Sequence, residues 1–286
     1  MSVKIIADST CDLSAELVEK YNIEIIPLHI VLGEKEYLDG VEIGPEELYK
    51  WSDENKTTPK TSAAAIADAM EVYEKYKVEY DEIVCFSISG QMSTTVNVMR
   101  MAAEEVDMED RVFVIDSASL STGGGLLVVE AAGMAQAGKS AKEIVEHIEM
   151  LKPYVRASFV VDTLTYLHRG GRCSGVAALA GGALKLHPKI VVVDGAMKPD
   201  KKYRGKIARV IMDYAKELEP QLLNARKDRV FITHSGCEQE VIDEVYQYLE
   251  SLNKFDEILI TRAGGVISSH CGPGTLGVLF IEEAKG

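Results

Sequence analysis

Short apolar runs alternate with helical stretches through the first half of the chain. Val3–Ala7, Glu82–Ser87 and Arg111–Ile115 are compact apolar segments typical of buried strands. The segments between them place apolar residues three or four positions apart, which is the spacing of an amphipathic helix. Strands that alternate with helices in this way predict parallel βαβ units with right-handed crossovers. The predicted helices are Ala15–Lys20, one that starts at Pro45, Ala63–Lys75, Ser93–Val106 and Leu126–Ala137.

The second half follows a different pattern, because a hairpin interrupts the alternation. Ile190–Val193 and Ala196–Pro199 flank Asp194-Gly195, a dipeptide typical of two-residue hairpin turns. A hairpin beside crossover-connected strands predicts a sheet with mixed pairing. The other predicted elements are the strands Ser158–Val161, Arg229–Thr233, Glu257–Arg262 and Gly277–Glu282 and the helices Lys206–Leu223 and Gln239–Leu252.

This pattern predicts an α/β fold with two α/β domains. A length of 286 residues favours two domains over one. We place a parallel-sheet βαβ domain at residues 1–155 and a domain with a mixed sheet at residues 156–286. The boundary falls where the helix His147–Leu151 ends and the charge balance changes. Ligands are often bound between two such domains, so we expect a ligand tunnel at the junction.

The composition is that of an ordinary globular protein. Hydrophobic residues make up 47% and charged residues 27% of the chain, which excludes a disordered or low-complexity protein. No apolar run reaches the roughly 18–20 residues that span a bilayer, and the N-terminus is too short in apolar length to be a signal peptide. Five dispersed cysteines without CxxC spacing predict reduced thiols in the cytoplasm.

Negative charge is concentrated in the first half of the chain. The formal net charge is −14; residues 1–155 carry 29 acidic and 13 basic side chains, and residues 156–286 carry 16 acidic and 18 basic ones. This balance argues against free nucleic acid as a partner. Eight basic residues nevertheless lie within Lys185–Arg209. The pattern favours a solvated face there, and a docking surface for an anionic partner is the alternative.

One segment matches the pattern of a nucleotide-binding loop. Residues 133–140, GMAQAGKS, satisfy the P-loop pattern G-x-x-x-x-G-K-[ST]. A P-loop follows a strand, whereas this segment follows a predicted helix. Gly138 lies where a helix ends, and Ser140 lies where the next helix is capped. We therefore interpret the segment as a joint between two helices and predict no nucleotide site.

Three clusters of hydroxyl side chains lie at predicted helix starts, in residues 57–62, 87–95 and 116–123. Capping accounts for one hydroxyl in each cluster, and we expect such a cap on the helix predicted from Ala63. The second and third clusters follow predicted strands of the parallel sheet, at the edge where ligands bind in such folds. The surplus hydroxyls therefore predict donors for a small polar or anionic group.

Two further segments contain candidate binding side chains. His270 lies in a polar, glycine-rich stretch predicted to be a turn, where its imidazole can reach into a cleft or serve as a structural side chain. Arg169 and Arg172 flank Gly170-Gly171, which suits bidentate binding of phosphate or carboxylate and equally an exposed basic loop. The sequence has no G-x-S-x-G elbow and no metal-spaced histidines, so neither a hydrolase of that type nor a metal site is indicated.

Together these segments resemble the DegV family of bacterial fatty-acid-binding proteins, whose members include the acyl-carrying subunits of fatty acid kinase. The resemblance covers essentially the whole chain and rests on the order and spacing of five motifs. They are DSTCDL at 8–13, KTS at 60–62, SGQMSTT at 89–95, GGR at 170–172 and HCGPG at 270–274. The chain departs from the family pattern at Ala63-Ala64, where Gln-Pro is usual, and at Thr94, where glycine is usual.

The resemblance implies a set of site residues. In the family, the carboxylate of a fatty acid is held by the residues that match Thr61, Ser93 and His270 here. Arg172 and Arg204 match residues that contact the kinase or a phosphate-bearing surface. No metal and no cofactor other than the bound fatty acid is implied. The complete set of implied ligand-binding residues is Thr61, Ser62, Ser93, Thr94, His270 and Gly274.

We therefore predict a non-catalytic, cytoplasmic lipid carrier. It binds a long-chain fatty acid in an apolar tunnel and presents the carboxylate to a separate ATP-dependent fatty acid kinase for phospholipid synthesis, with transient contact to the membrane surface. One alternative is a stand-alone hydrolase or phosphotransferase that uses Ser93 and His270, which requires a contact of about 3 Å between them. Another is a substrate domain like that of dihydroxyacetone kinase, with a small polar pocket.

Overall fold

The computed structural model describes residues 2–173 and 186–284, which form three sheets flanked by helices. Lys185 of the basic segment lies outside the described residues. The strands are β1 Val3–Asp8, β2 Glu24–Ile26, β3 His29–Leu32, β4 Lys35–Leu38, β5 Lys60–Ser62, β6 Glu82–Ser87, β7 Val112–Asp116, β8 Val155–Val160, β9 Leu186–Val193, β10 Ala196–Arg204, β11 Ala225–His234, β12 Glu257–Arg262 and β13 Leu276–Glu282. The helices are α1 Ala15–Lys20, α2 Pro45–Asn55, α3 Ile66–Tyr76, α4 Thr95–Glu105, α5 Thr122–Gln136, α6 Ala141–Leu151, α7 Thr165–Gly170, α8 Ile207–Glu217, α9 Glu219–Leu223, α10 Gln239–Ser251 and α11 Gly265–Cys271.

The first sheet is parallel throughout, which confirms the prediction from the alternation of strands and helices. Its strand order is β2-β1-β6-β7, and β1 pairs with β2 on one side and β6 on the other. Every residue of β1 is buried, as expected for a central strand covered on both faces. The carboxyl ends of parallel strands meet at one edge, so the segments that follow β1, β6 and β7 lie together there.

A small antiparallel sheet of order β4-β3-β5 lies beside the parallel one. In it Ile30 of β3 pairs with Thr61 of β5. The sheet packs into the same apolar cluster as the α3 and α4 helices, because Ile30 and Tyr73 belong to one buried core. Thr61 is thereby fixed by strand pairing on a rigid element.

The second large sheet is mixed, as predicted, with strand order β10-β9-β8-β13-β11-β12. The predicted hairpin joins β9 to β10 through Asp194 and Gly195. Both residues have left-handed φ values, 53° and 76°, which is the backbone of a type I′ turn. Ser89 donates a hydrogen bond of 2.6 Å to the Gly195 carbonyl, so the tip of the hairpin is tied to the segment after β6.

Helix α5 joins the two large sheets into one packed structure. Leu127 packs with Val84 in the core under the parallel sheet, whereas Leu126 packs with Phe231 against the mixed sheet. The change from parallel to mixed pairing falls at Val155, where β8 begins. The division into domains at residues 1–155 and 156–286 stays a prediction.

The helix predicted from Ala63 begins three residues later, at Ile66, so the predicted start is wrong. Residues 60–62 form β5 instead, because their pairing with β3 satisfies backbone groups that a helix start leaves open. The expected hydroxyl cap is also absent from this helix. Asp68 in the first turn instead accepts a hydrogen bond of 3.2 Å from the amide of Ala65, the residue before the helix.

Three other predicted boundaries are wrong. His270 lies in the last turn of α11 and not in a glycine-rich turn. The glycines at 123–125 lie inside the first turns of α5, which begins at Thr122. The helix predicted over Lys206–Leu223 is divided into α8 and α9 next to Pro220, whose ring and missing N–H disfavour an uninterrupted helix.

The segment that matches a P-loop is a joint between α5 and α6, as interpreted from the sequence. Gly138 has a left-handed φ of 79° just after α5. Ser140 and Glu143 form the capping box of α6. Residues 133–140 therefore contain no strand-to-helix turn that could hold phosphates. Over residues 2–173 and 186–284, no helix has the length and apolar character needed to cross a membrane.

Candidate functional site

A cavity of about 330 Å³ lies where the small sheet, the segment after β6 and helix α11 meet. Six of the eight implied site residues line it: Thr61, Ser62, Ser93, Thr94, His270 and Arg172. The rest of the wall is largely apolar. The buried apolar side chains in it are Leu28, Ile88, Met92, Leu120, Met197, Val266, Ile267 and Cys271.

Thr61 and His270 meet at one end of the cavity. The distance between Thr61 Oγ1 and His270 Nε2 is 2.7 Å, although the residues lie 209 positions apart in the chain. Thr61 is fixed on β5 by its pairing with Ile30, and His270 is fixed in the last turn of α11. The fold therefore combines a hydroxyl from the first half and an imidazole from the second half in one polar end.

The surroundings of His270 determine the position of its proton. Its Nδ1 atom is buried and has no hydrogen-bond partner among the described residues. A proton on Nδ1 would be a buried, unpaired donor, so we assign it to Nε2, which donates to Thr61. Burial, together with the charge of Arg172, lowers the pKa of His270 to about 4. The imidazole is thus neutral near pH 7, and the Thr61 hydroxyl is left to donate its own proton into the cavity.

The packing of the His270 ring explains why the segment Gly170-Gly171-Arg172 begins with glycine. A Cβ atom on Gly170 would lie 2.3 Å from His270 Nδ1, so only glycine fits at this contact. Gly171 ends α7 with a left-handed φ of 68°. The chain then turns so that Arg172 donates to the Gly170 carbonyl at 2.7 Å and lies exposed at the cavity mouth.

The segment between β6 and α4 supplies a second hydroxyl to the cavity. Ser93 is half-buried and lies 2.8 Å from the Thr95 hydroxyl. Thr94 and Ser62 are exposed where the cavity opens to solvent. In the part of the chain that the structure describes, Ser93 has no hydrogen bond to His270, whose Nε2 is bonded to Thr61. The serine–histidine contact that a hydrolase needs is therefore not made.

Two implied site residues lie away from the cavity. Gly274 is in the turn before β13 with a left-handed φ of 76°, and a Cβ there would lie 3.0 Å from the Cβ of Asp162. Its left-handed φ allows the turn, and it is not among the residues that line the cavity, so its part in ligand binding stays a prediction. Arg204 is exposed at the end of β10, where it pairs with Leu186.

Sequence reasoning missed the apolar wall of the cavity. Leu120 follows β7, Met197 lies on β10 and Ile267 lies on α11. They have no common motif, and their spacing in the sequence is that of ordinary core residues. Nothing along the chain indicates that these three side chains face one empty volume. Within residues 2–173 and 186–284, no group of three His, Cys, Asp or Glu side chains is placed to bind a metal ion.

Comparison with known proteins finds relatives along the whole chain. The model of a family described as "Uncharacterised protein, DegV family" matches residues 2–283. A Thermotoga maritima protein named fatty acid-binding protein is 33% identical, with 97% of this chain and 96% of that protein covered. The structure of a DegV family protein from Thermus thermophilus, described for its fatty acid binding, has a TM-score of 0.91 at 29% identity and covers 99% of this chain and 100% of its own. A stearic acid-binding protein from Eubacterium ventriosum has a TM-score of 0.84 at 30% identity and covers 98% of both chains.

Proposed function

This chain belongs to the DegV family, and from that premise we propose that it binds one long-chain fatty acid in the 330 Å³ cavity. The carboxylate lies at the polar end formed by Thr61, Ser93 and His270. The acyl chain extends along the apolar wall. The observation that carries this proposal is the 2.7 Å contact between Thr61 and His270 in a cavity whose wall is largely apolar.

The apolar wall supports a lipid ligand. The volume lies within the range of about 300–1,000 Å³ that is usual for ligand pockets. Each methylene removed from water contributes about 0.8 kcal/mol before the costs of association are subtracted. An acyl chain therefore supplies enough free energy for tight binding without any catalytic group.

The polar end supports a carboxylate. A carboxylate removed from water loses several kcal/mol unless hydrogen bonds replace the lost hydration. His270 donates to Thr61, so the Thr61 hydroxyl is oriented to donate to the ligand. The Ser93 hydroxyl lines the same space. Thr61 and Ser93 are neutral donors, so neither forms an ion pair with the anion.

Replacing Thr61 with valine is expected to lower fatty acid affinity by about 10- to 100-fold, because the variant loses one hydrogen bond to a charged group at almost unchanged volume. Binding of a fluorescent fatty acid checks this, together with native mass spectrometry of the lipid that co-purifies with each protein. Thr57→Val is the matched control, since Thr57 belongs to the same hydroxyl cluster but is exposed and does not line the cavity. A wild-type protein that neither co-purifies with a fatty acid nor binds one would contradict the proposal.

We extend the proposal to the partner of the loaded protein. It acts in the cytoplasm as a carrier without activity of its own and presents the carboxylate to a separate ATP-dependent kinase, with transient contact to an anionic membrane surface. Two features support this. Arg172 is exposed at the cavity mouth, and Arg204 is exposed on β10, the edge strand whose hairpin is tied to the Ser89 segment.

Replacing Arg204 with alanine is expected to slow kinase-dependent acyl phosphate formation at least about tenfold, since a charge-assisted contact contributes about 1.5–3 kcal/mol. Fatty acid affinity should stay unchanged, because Arg204 does not line the cavity. The assay combines the loaded protein with a purified fatty acid kinase and ATP. Lys216→Ala, which removes a charge from α8 instead, serves as the control. Equal rates for wild type and Arg204→Ala would remove Arg204 from the kinase contact.

A further inference from the structure

Three buried carboxyl side chains lie behind the cavity without lining it. Asp8, Asp12 and Asp39 are only 2%, 5% and 2% exposed. Asp8 and Asp12 belong to the DSTCDL motif after β1, and Asp39 follows β4. Burying three carboxyl groups together is costly, so each requires hydrogen-bond partners. Those partners lie in the elements that carry the proposed head-group residues.

Asp8 holds the segment that contains Ser93. Its Oδ2 atom accepts a hydrogen bond of 2.7 Å from the Ile88 amide, directly after β6. Ser93 lies five positions further along the same segment and bonds to the amide of Thr95. The start of this segment is thus fixed to the end of β1.

Asp12 holds the helix that contains His270. Its Oδ1 atom accepts from the Gly264 amide, just before α11, at 2.8 Å. Its Oδ2 atom accepts from the Ser121 hydroxyl, next to the cavity residue Leu120. One carboxyl group therefore connects the N-terminal end of α11 with the segment after β7.

Asp39 holds the same helix and also the sheet that contains Thr61. Its Oδ1 atom accepts from the Gly265 amide at 2.8 Å, and its Oδ2 atom accepts from the Ser9 hydroxyl at 2.8 Å. The Ser9 oxygen in turn accepts from the Leu28 amide at 3.1 Å, directly before β3. β3 pairs with β5, on which Thr61 lies.

The approach of α11 to these carboxyl groups depends on glycine. A Cβ atom on Gly265 would lie 2.7 Å from Asp39 Oδ1 and 2.6 Å from Ile30 Cδ1. A Cβ atom on Gly264 would lie 3.2 Å from Asp12 Oδ1. Glycine at both positions thus lets the start of the helix lie close to the Asp12 and Asp39 carboxyl groups. A side chain at either position would push the helix away from them.

We propose that Asp8, Asp12 and Asp39 are positioning residues that hold the Thr61, Ser93 and His270 elements at the distances that create the head-group site. None of the three lines the cavity. They act through backbone amides and through the Ser9 and Ser121 hydroxyls, and two of the three belong to the DSTCDL motif. The inference rests on the proposed function for its ligand, but the Thr61–His270 contact can be measured without any ligand.

The decisive variant is Asp12→Ala, compared with Asp12→Asn. Asparagine keeps an oxygen for the Gly264 amide and a polar partner for Ser121, whereas alanine removes both. Glu130→Ala is the control, because Glu130 accepts from Arg226 at 3.0 Å across the two halves but does not line the cavity. It is expected to destabilise the fold without moving α11. For each variant we would measure the free energy of unfolding, the affinity for a fluorescent fatty acid and the ¹⁵N chemical shifts of His270.

Asp12→Ala is expected to lower fatty acid affinity about tenfold or more, because the helix that carries His270 loses its anchor at the Gly264 amide. It should also shift the His270 nitrogens away from the pure Nε2–H form. Asp12→Asn should restore both properties to within about threefold of wild type, and Glu130→Ala should leave both unchanged even if it is less stable than Asp12→Asn.

If Asp12→Ala does not fold, Gly264→Ala tests the same contact with the carboxyl groups intact. A loss of fatty acid affinity of about threefold or more is expected from it.

Wild-type affinity and wild-type His270 shifts in folded Asp12→Ala would overturn the inference. So would losses in Glu130→Ala that scale with its instability, since the carboxyl groups would then act only on stability. If the wild-type protein binds no fatty acid, the proposed function fails, and the His270 shifts still decide whether the carboxyl groups position the imidazole.

Discussion

Replacing Gly170 with alanine is expected to lower fatty acid affinity by about 100-fold and the free energy of unfolding by about 1–3 kcal/mol. The added methyl group would lie 2.3 Å from His270 Nδ1, far inside the contact distance. The imidazole cannot move away without giving up its 2.7 Å contact with Thr61. A displaced imidazole no longer orients the Thr61 hydroxyl that donates to the carboxylate. The added methyl group also forces α7 and α11 apart.

Gly133→Ala is the matched control for this variant. Gly133 lies inside α5, and a Cβ atom there would meet nothing within 4 Å. The same change should therefore stabilise the protein by about 0.5–1 kcal/mol, as alanine does in a helix interior, and leave lipid affinity unchanged. Urea unfolding and fatty acid titration of both variants check the pair. A Gly170→Ala protein with wild-type affinity would show that the His270 ring is not fixed by this contact.

The unfolding free energy of the wild-type protein is expected to fall between pH 6 and pH 8 by about 2–3 kcal/mol more than that of Asp12→Asn. Burial raises the pKa of Asp12 to about 8, against an ordinary value of 3.8, and the nearby charges of Asp39 and Asp8 contribute. The folded protein therefore keeps a proton that the unfolded chain has released. Stability from this proton is complete below the unfolded pKa and declines as pH rises towards the folded pKa, by about 1.4 kcal/mol per pH unit.

Urea unfolding of the two proteins at pH 6, 7 and 8 measures this difference. Other groups, such as His29 with its raised pKa, are present in both proteins, so their contributions cancel. Asp8, whose pKa burial raises to about 6, should act mainly at the acidic end of the range. Parallel pH profiles for wild type and Asp12→Asn would mean that Asp12 is ionised in the folded protein at neutral pH.

Local sequence patterns predicted those parts of the fold that neighbouring residues determine. The turn at Asp194-Gly195 could be identified because only a few residues tolerate two successive left-handed conformations. The joint at Gly138 could be separated from a P-loop because a capping box and a helix-ending glycine explain the residues around it. The alternation of strands and helices likewise predicted the parallel sheet.

Predictions failed where a distant part of the chain changes the local preference. The hydroxyl-rich residues 57–62 favour a helix cap, but pairing with β3 makes 60–62 a strand. The stretch around His270 is rich in polar residues and glycine, yet the carboxyl groups of Asp12 and Asp39 accept the first amides and allow a helix. Local propensities amount to less than about 1 kcal/mol per residue, so such contacts outweigh them.

The candidate site was predictable only in part. The resemblance placed Thr61, Ser93 and His270 together, and these residues line one cavity; Arg172, which it assigned to a partner or phosphate contact, lines the same cavity. It also included Gly274, which lies in a turn beside Asp162. The apolar wall and the carboxyl groups behind the head-group residues could not be found along the chain, because neither has a sequence spacing of its own.

By itself, the sequence determined the α/β alternation, the hairpin, the helix joint and the supply of hydroxyl, imidazole and glycine residues. The tertiary structure alone decided that Thr61 meets His270 across 209 positions, that His270 Nδ1 has no hydrogen-bond partner among the described residues, and that the wall of the cavity beside them is largely apolar. The reason is physical. Turns and caps depend on bonds between near neighbours, whereas a cavity and a shifted pKa depend on which distant groups exclude water from the same place.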